Sequence, residues 1–234
     1  GSEMCIRDRV KLYGRWDKAS DIDWDRLPNQ FVLKVNNGCG DILICRDKDK
    51  LDKATVIDTY DRLVSIKYGD VTGEPHYARI QPCVIAEELL DINKQSINTS
   101  SLIDYKVWCL NGKPYCIWCA WNRGKEGADT GVYDLDWNYH PEWSVFTEHY
   151  RQGKEILPKP KCFERMLEVA SKLSEEFPIL RVDLYEVNEK IYFGELTFTS
   201  LGGFMDYLTS EVLLDMGSKV RINEISEEYA HVKC

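Results

Sequence analysis

Arg181-Val-Asp-Leu-Tyr-Glu-Val-Asn-Glu-Lys-Ile-Tyr-Phe-Gly-Glu-Leu-Thr-Phe-Thr199 is the stretch on which the fold turns. Apolar and β-branched residues on either side of Asn188-Glu189 predict two strands, Leu180 to Val187 and Lys190 to Phe198, joined by a two-residue turn. An acid interrupts each strand, Asp183 in the first and Glu195 in the second. A carboxylate within a buried strand costs several kcal/mol unless it is paired or bound to a cation. The residues alone leave open a metal pair, an edge hairpin with solvated carboxylates, and a structural ion pair with Arg181. Counting outward from the turn, Val187 meets Lys190 and Asp183 falls opposite Gly194, which puts Glu195 on the other face. Convergence of the two acids therefore requires a one-residue bulge or a three-residue turn.

Upstream, Lys161 to Phe177 carries Phe163, Met166, Leu167, Ala170 and Leu173 at helical spacing, and Pro178 stops it. Asp104 to Leu110 and Pro114 to Trp121 alternate as antiparallel strands around the hairpin signal Asn111-Gly112. Between them and the helix, Tyr133 to Pro160 reads as a long loop with Pro141, Pro158 and Pro160. Nearer the start, Phe31 to Val35, the glycine turn Asn36-Asn-Gly-Cys-Gly40 and Asp41 to Cys45 predict strand, turn, strand. Asp47 to Ser65 has the spacing of an amphipathic helix, Gln81 to Glu87 reads as a strand reaching the pair Glu87-Glu88, and Asp91 to Ser101 as an exposed loop. In the tail, Asp206 to Met216 is expected to be helical.

The 234 residues are 44% hydrophobic and 12% aromatic, enough for one large domain or two small ones sharing a cleft. A formal charge of −9 argues against a chain that coats nucleic acid, which needs clustered Lys and Arg. No run approaches the roughly 20 apolar residues that span a bilayer, and Gly1 to Lys11 has no apolar core of a secretory signal, so the expected location is the cytoplasm. The nine cysteines are scattered at apolar positions. Cys116-Ile-Trp-Cys119 has knuckle spacing, but on a strand its thiols point to opposite faces, and no second pair lies at finger spacing.

The order of these segments resembles the ATP-grasp superfamily. Arg181-Val-Asp183, a short hairpin, Glu195-Leu-Thr197 and Gly202-Gly203 are similar to the signature in which an Asp, a Glu and usually an Asn two residues later bind magnesium. Phe31-Val-Leu-Lys34 with its glycine turn resembles the phosphate loop, and Ala86-Glu-Glu-Leu-Leu90 the hinge over adenine. Leu27 to Lys34, Asp104-Tyr-Lys106, Asn111-Gly-Lys-Pro114, Tyr133 to Trp137 and Arg181 to Tyr185 are together similar to the TupA-like, teichuronopeptide-biosynthesis branch, over roughly Trp16 to Phe204.

That resemblance implies an α+β fold, the ATP-grasp fold, with two α/β subdomains of mostly antiparallel sheet gripping ATP between them. The expected division is a linker or cloning remnant over 1–15, the small subdomain over 16–90 and the large one over 91–234. It implies ATP and Mg2+ as cofactors, with Asp183, Glu195 and Thr197 on the metal, Thr197 standing where many relatives have Asn. Lys34, Asn37, Gly38 and Gly40 would contact ATP phosphates, the backbone N–H groups closing over them where glycine permits close approach. Glu87, Glu88 and Leu90 would wall the adenine, and Asp104 matches a ribose-binding acid. Arg181 would neutralise the transferred phosphoryl group, with Lys106 and Arg123 as further contacts to phosphate or acyl phosphate. The glycine loop reads Asn-Asn-Gly where relatives suggest Asn-His-Gly, and the chain is expected to begin after the family's N-terminal lobe.

The function so implied is an ATP-dependent carboxylate–amine ligase working through an acyl phosphate, in cell-surface polysaccharide or teichuronopeptide-type polymer synthesis. Its partners would be ATP and carboxylate and amine substrates, small or polymeric. Three alternatives stand beside it: a nucleotide-sugar glycosyltransferase using the D-x-D of Asp134 and Asp136, a kinase on the same fold, and a truncated nucleotide-binding module without catalysis.

Overall fold

The computed structural model describes residues 9–38, 40–67 and 75–222. They fall into two compact units, residues 10–90 and residues 91–222 with residue 9.

The smaller unit is a four-stranded antiparallel sheet in the order β1-β4-β2-β3, with β1 at Leu12–Trp16, β2 at Phe31–Val35, β3 at Ile42–Cys45 and β4 at Val84–Glu87. Leu12–Trp16 comes from the stretch expected to be mostly linker; Trp16 and Gly14 pair with Val84 and Ala86. Along β2, Phe31, Leu33 and Val35 are buried while Val32 and Lys34 are half-exposed, so one face is committed to a core. Helix α1, Lys53–Val64, covers that face with Val56, Tyr60 and Leu63. It starts later than the apolar spacing predicts because Asp52 caps it, accepting from the Thr55 N–H at 3.2 Å. The Tyr60 hydroxyl donates to the Leu33 carbonyl at 2.8 Å and ties helix to strand, a bond of about 1 kcal/mol.

The larger unit is a six-stranded sheet in the order β10-β9-β5-β6-β7-β8. Its strands are β5 Asp104–Leu110, β6 Lys113–Gly124, β7 Gly127–Tyr133, β8 Tyr150–Gln152, β9 Ile179–Val187 and β10 Lys190–Thr197. Neighbours are antiparallel except β7 and β8. Helix α2, Phe163–Ser174, packs on the face made by Tyr105, Val107, Ile117, Leu180 and Val182. Glu186, an inward acid of β9, accepts from the Cys162 N–H at 2.8 Å, a carboxylate at the positive end of that helix. Helix α3, Ser210–Lys219, covers the opposite face together with Tyr207 and Leu208, over Trp108, Cys116, Trp118 and Val132. Cys116 and Cys119 are buried on opposite faces, as their spacing dictates. The long loop expected from Tyr133 to Pro160 contains β8, and α3 begins at Ser210 because Leu208 is engaged in a bridge to Ser144. Among the described residues no helix is long and apolar enough to cross a membrane.

The hairpin β9–β10 turns at Asn188 and Glu189, both left-handed with φ of 55° and 57°, the geometry that matches strand twist. Pairing runs Val187 with Lys190 and out to Leu184 with Phe193; there the register slips by one, and Asp183 lies opposite Glu195. Gly194 is the extra residue of a β-bulge, and the two acids share a face. A Cβ on Gly194 would lie 3.0 Å from the Asp183 carbonyl oxygen and 3.0 Å from the Tyr185 ring. Gly194→Val should therefore lower stability by about 1–3 kcal/mol through overpacking, read as a lower urea midpoint; an unchanged midpoint would mean the bulge can reform elsewhere.

Candidate functional site

One cluster of charge occupies the middle of the larger sheet. The register sets Lys106 of β5 against Asp183 of β9, and Asp183 against Glu195 of β10. Asp183 is 1% exposed. Its Oδ1 accepts from Arg181 Nε at 2.7 Å, and its Oδ2 from Arg181 Nη2 at 2.8 Å and from the Lys106 ammonium. Burial alone would raise its pKa, but the adjoining Lys106 and Arg181 charges hold it well below the ordinary carboxylate value. Burial works equally against the charge on Lys106, and Asp104, 2.7 Å away, together with Asp183 overcomes it and raises the pKa.

Arg181 Nη2 also reaches Glu195 Oε1 at 3.1 Å. Glu195 is the open member of the pair, with 55% of its side chain accessible. Desolvation of the carboxyl group by the surrounding side chains, and then the Asp183 charge, push its pKa up. Thr197, paired with Arg181, donates its hydroxyl to Glu195 Oε1 at 3.3 Å. Arg123 extends the cluster from β6 by a 3.1 Å bond to Asp104 Oδ2, while the buried Asp104 Oδ1 has no hydrogen-bond partner among the described residues. Arg181, Lys106, Arg123, Asp104, Asp183, Glu195 and Thr197 are thus brought together, and the ion pair with Arg181 exists alongside the convergence of the acids.

The remaining expected residues lie in the smaller unit. Lys34 projects from β2 and pairs with Glu87 of β4 at 2.7 Å. Asn36 pins the glycine turn, receiving the Cys83 N–H at 2.8 Å and donating to the Gln81 carbonyl at 3.0 Å. The Asn37 side chain is turned inward onto the Ile66 carbonyl at 3.2 Å. Gly40 has φ of 89° with open space around it, Gly38 precedes it, and Cys39 lies outside the described residues. Glu88 donates its N–H to the Lys11 carbonyl at 2.9 Å, and Leu90 is buried.

Asp134 and Asp136 do not form a free D-x-D. Asp134 accepts from the N–H groups of Asp136 and Asn138 at 2.9 and 2.7 Å and from the Asn138 amide at 2.8 Å, so its oxygens are spent on the turn before Trp137. Burial notwithstanding, these bonds bring its pKa to about 2. His140 closes the turn, with Nδ1 2.7 Å from Glu142 and Nε2 3.2 Å from Asp134, and stacks on Trp143. Partial burial lowers the imidazole pKa, but the two carboxylates outweigh it and raise it above 6.5. A raised folded pKa stabilises fully below the unfolded value and is lost as pH rises through the folded one. Unfolding at about pH 5.5 and about pH 9 should show His140→Gln losing up to about 1 kcal/mol at the lower pH and almost nothing at the higher.

The donor set fits a divalent cation of the hard, oxygen-liganded kind. Asp183 and Glu195 are adjacent carboxylates, and magnesium bridged by phosphates needs only one or two. Among the described residues no group of three or more His, Cys, Asp or Glu is placed to hold a metal, so the other ligands would be phosphate oxygens or water.

The sequence matches the TupA-like ATP-grasp family over residues 6–221. The chain belongs to that family. No curated protein matches it. Among solved structures, its fold is similar to D-alanine–D-alanine ligase from Bacillus anthracis, with a TM-score of 0.50 and 15% identity over 92% of this chain and 62% of that one. The ATP-grasp ligase PsnB complexed with minimal precursor gives 0.42 and 11% over 92% and 55%, and D-alanine–D-alanine ligase from Helicobacter pylori 0.41 and 11% over 91% and 57%. The chain therefore spans less than two thirds of the length of these structures. The ATP-grasp fold is the one expected from the signature residues.

Two residues of the charge cluster in this TupA-like ATP-grasp chain were not legible in sequence. Ser200 accepts from Arg181 Nη1 at 2.9 Å and lies 2.9 Å from the Tyr207 hydroxyl. Gly202-Gly203 was the one signal nearby: it marks the tight turn, with Leu201 and Gly202 left-handed at φ of 50° and 63°, that carries Ser200.

Proposed function

We propose that this chain is the catalytic part of an ATP-dependent carboxylate–amine ligase: ATP phosphorylates a carboxylate to an acyl phosphate with release of ADP, and an amine then displaces the phosphate to leave an amide. The observation that carries this reading is the pair Asp183 and Glu195, set side by side by the Gly194 bulge and bridged by Arg181. Phosphoryl transfer needs no protein nucleophile; it needs positioning and neutralisation of charge. Arg181 and Lys106 are the cations for the transferred phosphoryl group, and Arg123, half-exposed, is available to a carboxylate or acyl phosphate. Magnesium, held by Asp183 and Glu195 with Thr197 beside them, would supply charge neutralisation on the phosphates.

Within the smaller unit taken by itself, the resemblance assigns Lys34 and the glycine turn to phosphate and Glu87, Glu88 and Leu90 to the base; within the larger unit it assigns Asp104 to the ribose. Asp104 Oδ1, without a partner among the described residues, leaves an acceptor free for a hydroxyl donor and supports the ribose assignment. ATP consumption fits a cytoplasmic setting, and the family's name fits a polymer of the cell surface built from uronic and amino acids.

The test is incubation with magnesium-ATP and candidate amino acids or uronic acids. Acceptor-dependent ADP and free phosphate with an amide product are expected. A phosphorylated acceptor would replace the ligase by a kinase, and no turnover with tight ATP binding would leave a nucleotide-binding module.

A further inference from the structure

Arg181 makes four hydrogen bonds to side chains, three to the carboxylates Asp183 and Glu195 and one to Ser200. The carboxylates are the very groups that a divalent cation would claim. A guanidinium released by both would be left with the Nη1 bond to Ser200 and the Trp108 ring, whose centroid is 5.9 Å away. Ser200 is 6% exposed and is itself fixed by the Tyr207 hydroxyl at 2.9 Å, where either oxygen can donate. Tyr207 is 4% exposed, with its ring 4.8 Å from that of Trp118 and 6.1 Å from that of Tyr150. Its ring is thus held in a packed aromatic socket, and its hydroxyl faces Ser200 and Arg181 itself.

We propose that Ser200 and Tyr207 are positioning residues, a neutral hydroxyl pair that holds Arg181 by Nη1 so that it stays beside the transferred phosphoryl group when Asp183 and Glu195 turn to a metal. This rests on the ligase reading for its catalytic consequence, and on geometry alone for the anchor. Two neutral hydroxyls suit the task because they carry no charge to compete with phosphate for the guanidinium, whereas a carboxylate in their place would. Tyr207→Phe keeps the ring in its socket and removes one oxygen. Ser200→Ala removes the direct acceptor, and Ser200→Thr restores it.

The experiment reads the Arg181 Nε–H in protein labelled with 15N-arginine, assigned against Arg181→Lys, with and without magnesium-ADP. In the wild type the signal should persist on addition of the nucleotide. Tyr207→Phe and Ser200→Ala should exchange that proton at least about fivefold faster once the nucleotide is bound, and Ser200→Thr should return it to the wild-type rate. In turnover, with rates referred to the folded fraction measured by unfolding of each variant, the first two should lower kcat about tenfold with KM for ATP changed less than about twofold. Wild-type exchange and wild-type kcat in both variants would overturn the proposal. If magnesium-ADP leaves the wild-type spectrum unchanged, the ligase reading fails instead, and the ligand-free exchange of the Arg181 Nη1 protons, which bond Ser200 directly, still decides the anchor: faster in both variants supports it, equal to wild type overturns it.

Discussion

Lys106→Ala is expected to cost about 3–5 kcal/mol of folding stability. The ammonium is the shared partner of Asp104 and Asp183, which are 4% and 1% exposed. Its removal leaves Asp104 with Arg123 alone, at a half-exposed guanidinium, and Asp183 with Arg181 alone. An unpaired buried carboxylate must either be desolvated as an anion or take up a proton, and both alternatives are unfavourable at neutral pH. Urea unfolding measures the loss. Adding Asp104→Asn to the variant should recover a large part of it, because one of the two stranded charges is then gone; failure to recover would mean the cost is lost packing of the lysine stem.

Glu195→Gln separates chemistry from stability in the opposite way. With more than half of its side chain accessible, Glu195 contributes little to the fold, and the variant should unfold within about 0.5 kcal/mol of wild type. Turnover of ATP should nevertheless fall at least about a hundredfold, the scale of losing one group aimed at charge that develops in the transition state. Asp183→Asn should abolish turnover as well, but with a stability loss, since Arg181 and Lys106 both bond to it. Equal rates in wild type and both variants would remove these residues from the site.

Much of this arrangement could be read from sequence because strong local signals coincided. Asn111-Gly112 and Asn188-Glu189 sit between alternating apolar runs, and both became two-residue turns. Asp183 and Glu195 announced themselves as acids in strands. What sequence could not fix was the face on which Glu195 lies, because a bulge is decided by pairing across strands and Gly194 offers no side chain to mark it. Strand β7, Gly-Ala-Asp-Thr-Gly-Val-Tyr, escaped for another reason: two glycines, an aspartate and an alanine give it weak intrinsic strand preference, and pairing with β6 along its length imposes the conformation. Strand β8 is three residues long and pairs in parallel, leaving no periodic trace. Ser200 and Tyr207 are common residue types in an unpatterned tail, and only the fold brings them to Arg181.

The slip at Gly194 also divides strand β10 into two lengths that keep separate time. Ile191 and Phe193, counted from the turn, alternate in step with the hydrophobic core under α2; Glu195 and Thr197, counted from the far end, alternate in step with Arg181 and Asp183. The glycine works as a clutch between the two. Lengthening the turn by one residue would drive the core-facing half out of phase, yet the acid-bearing half could keep its place by absorbing the change at the same point. The acidic pair of this hairpin is therefore located by its distance from the bulge and not by its distance from the turn.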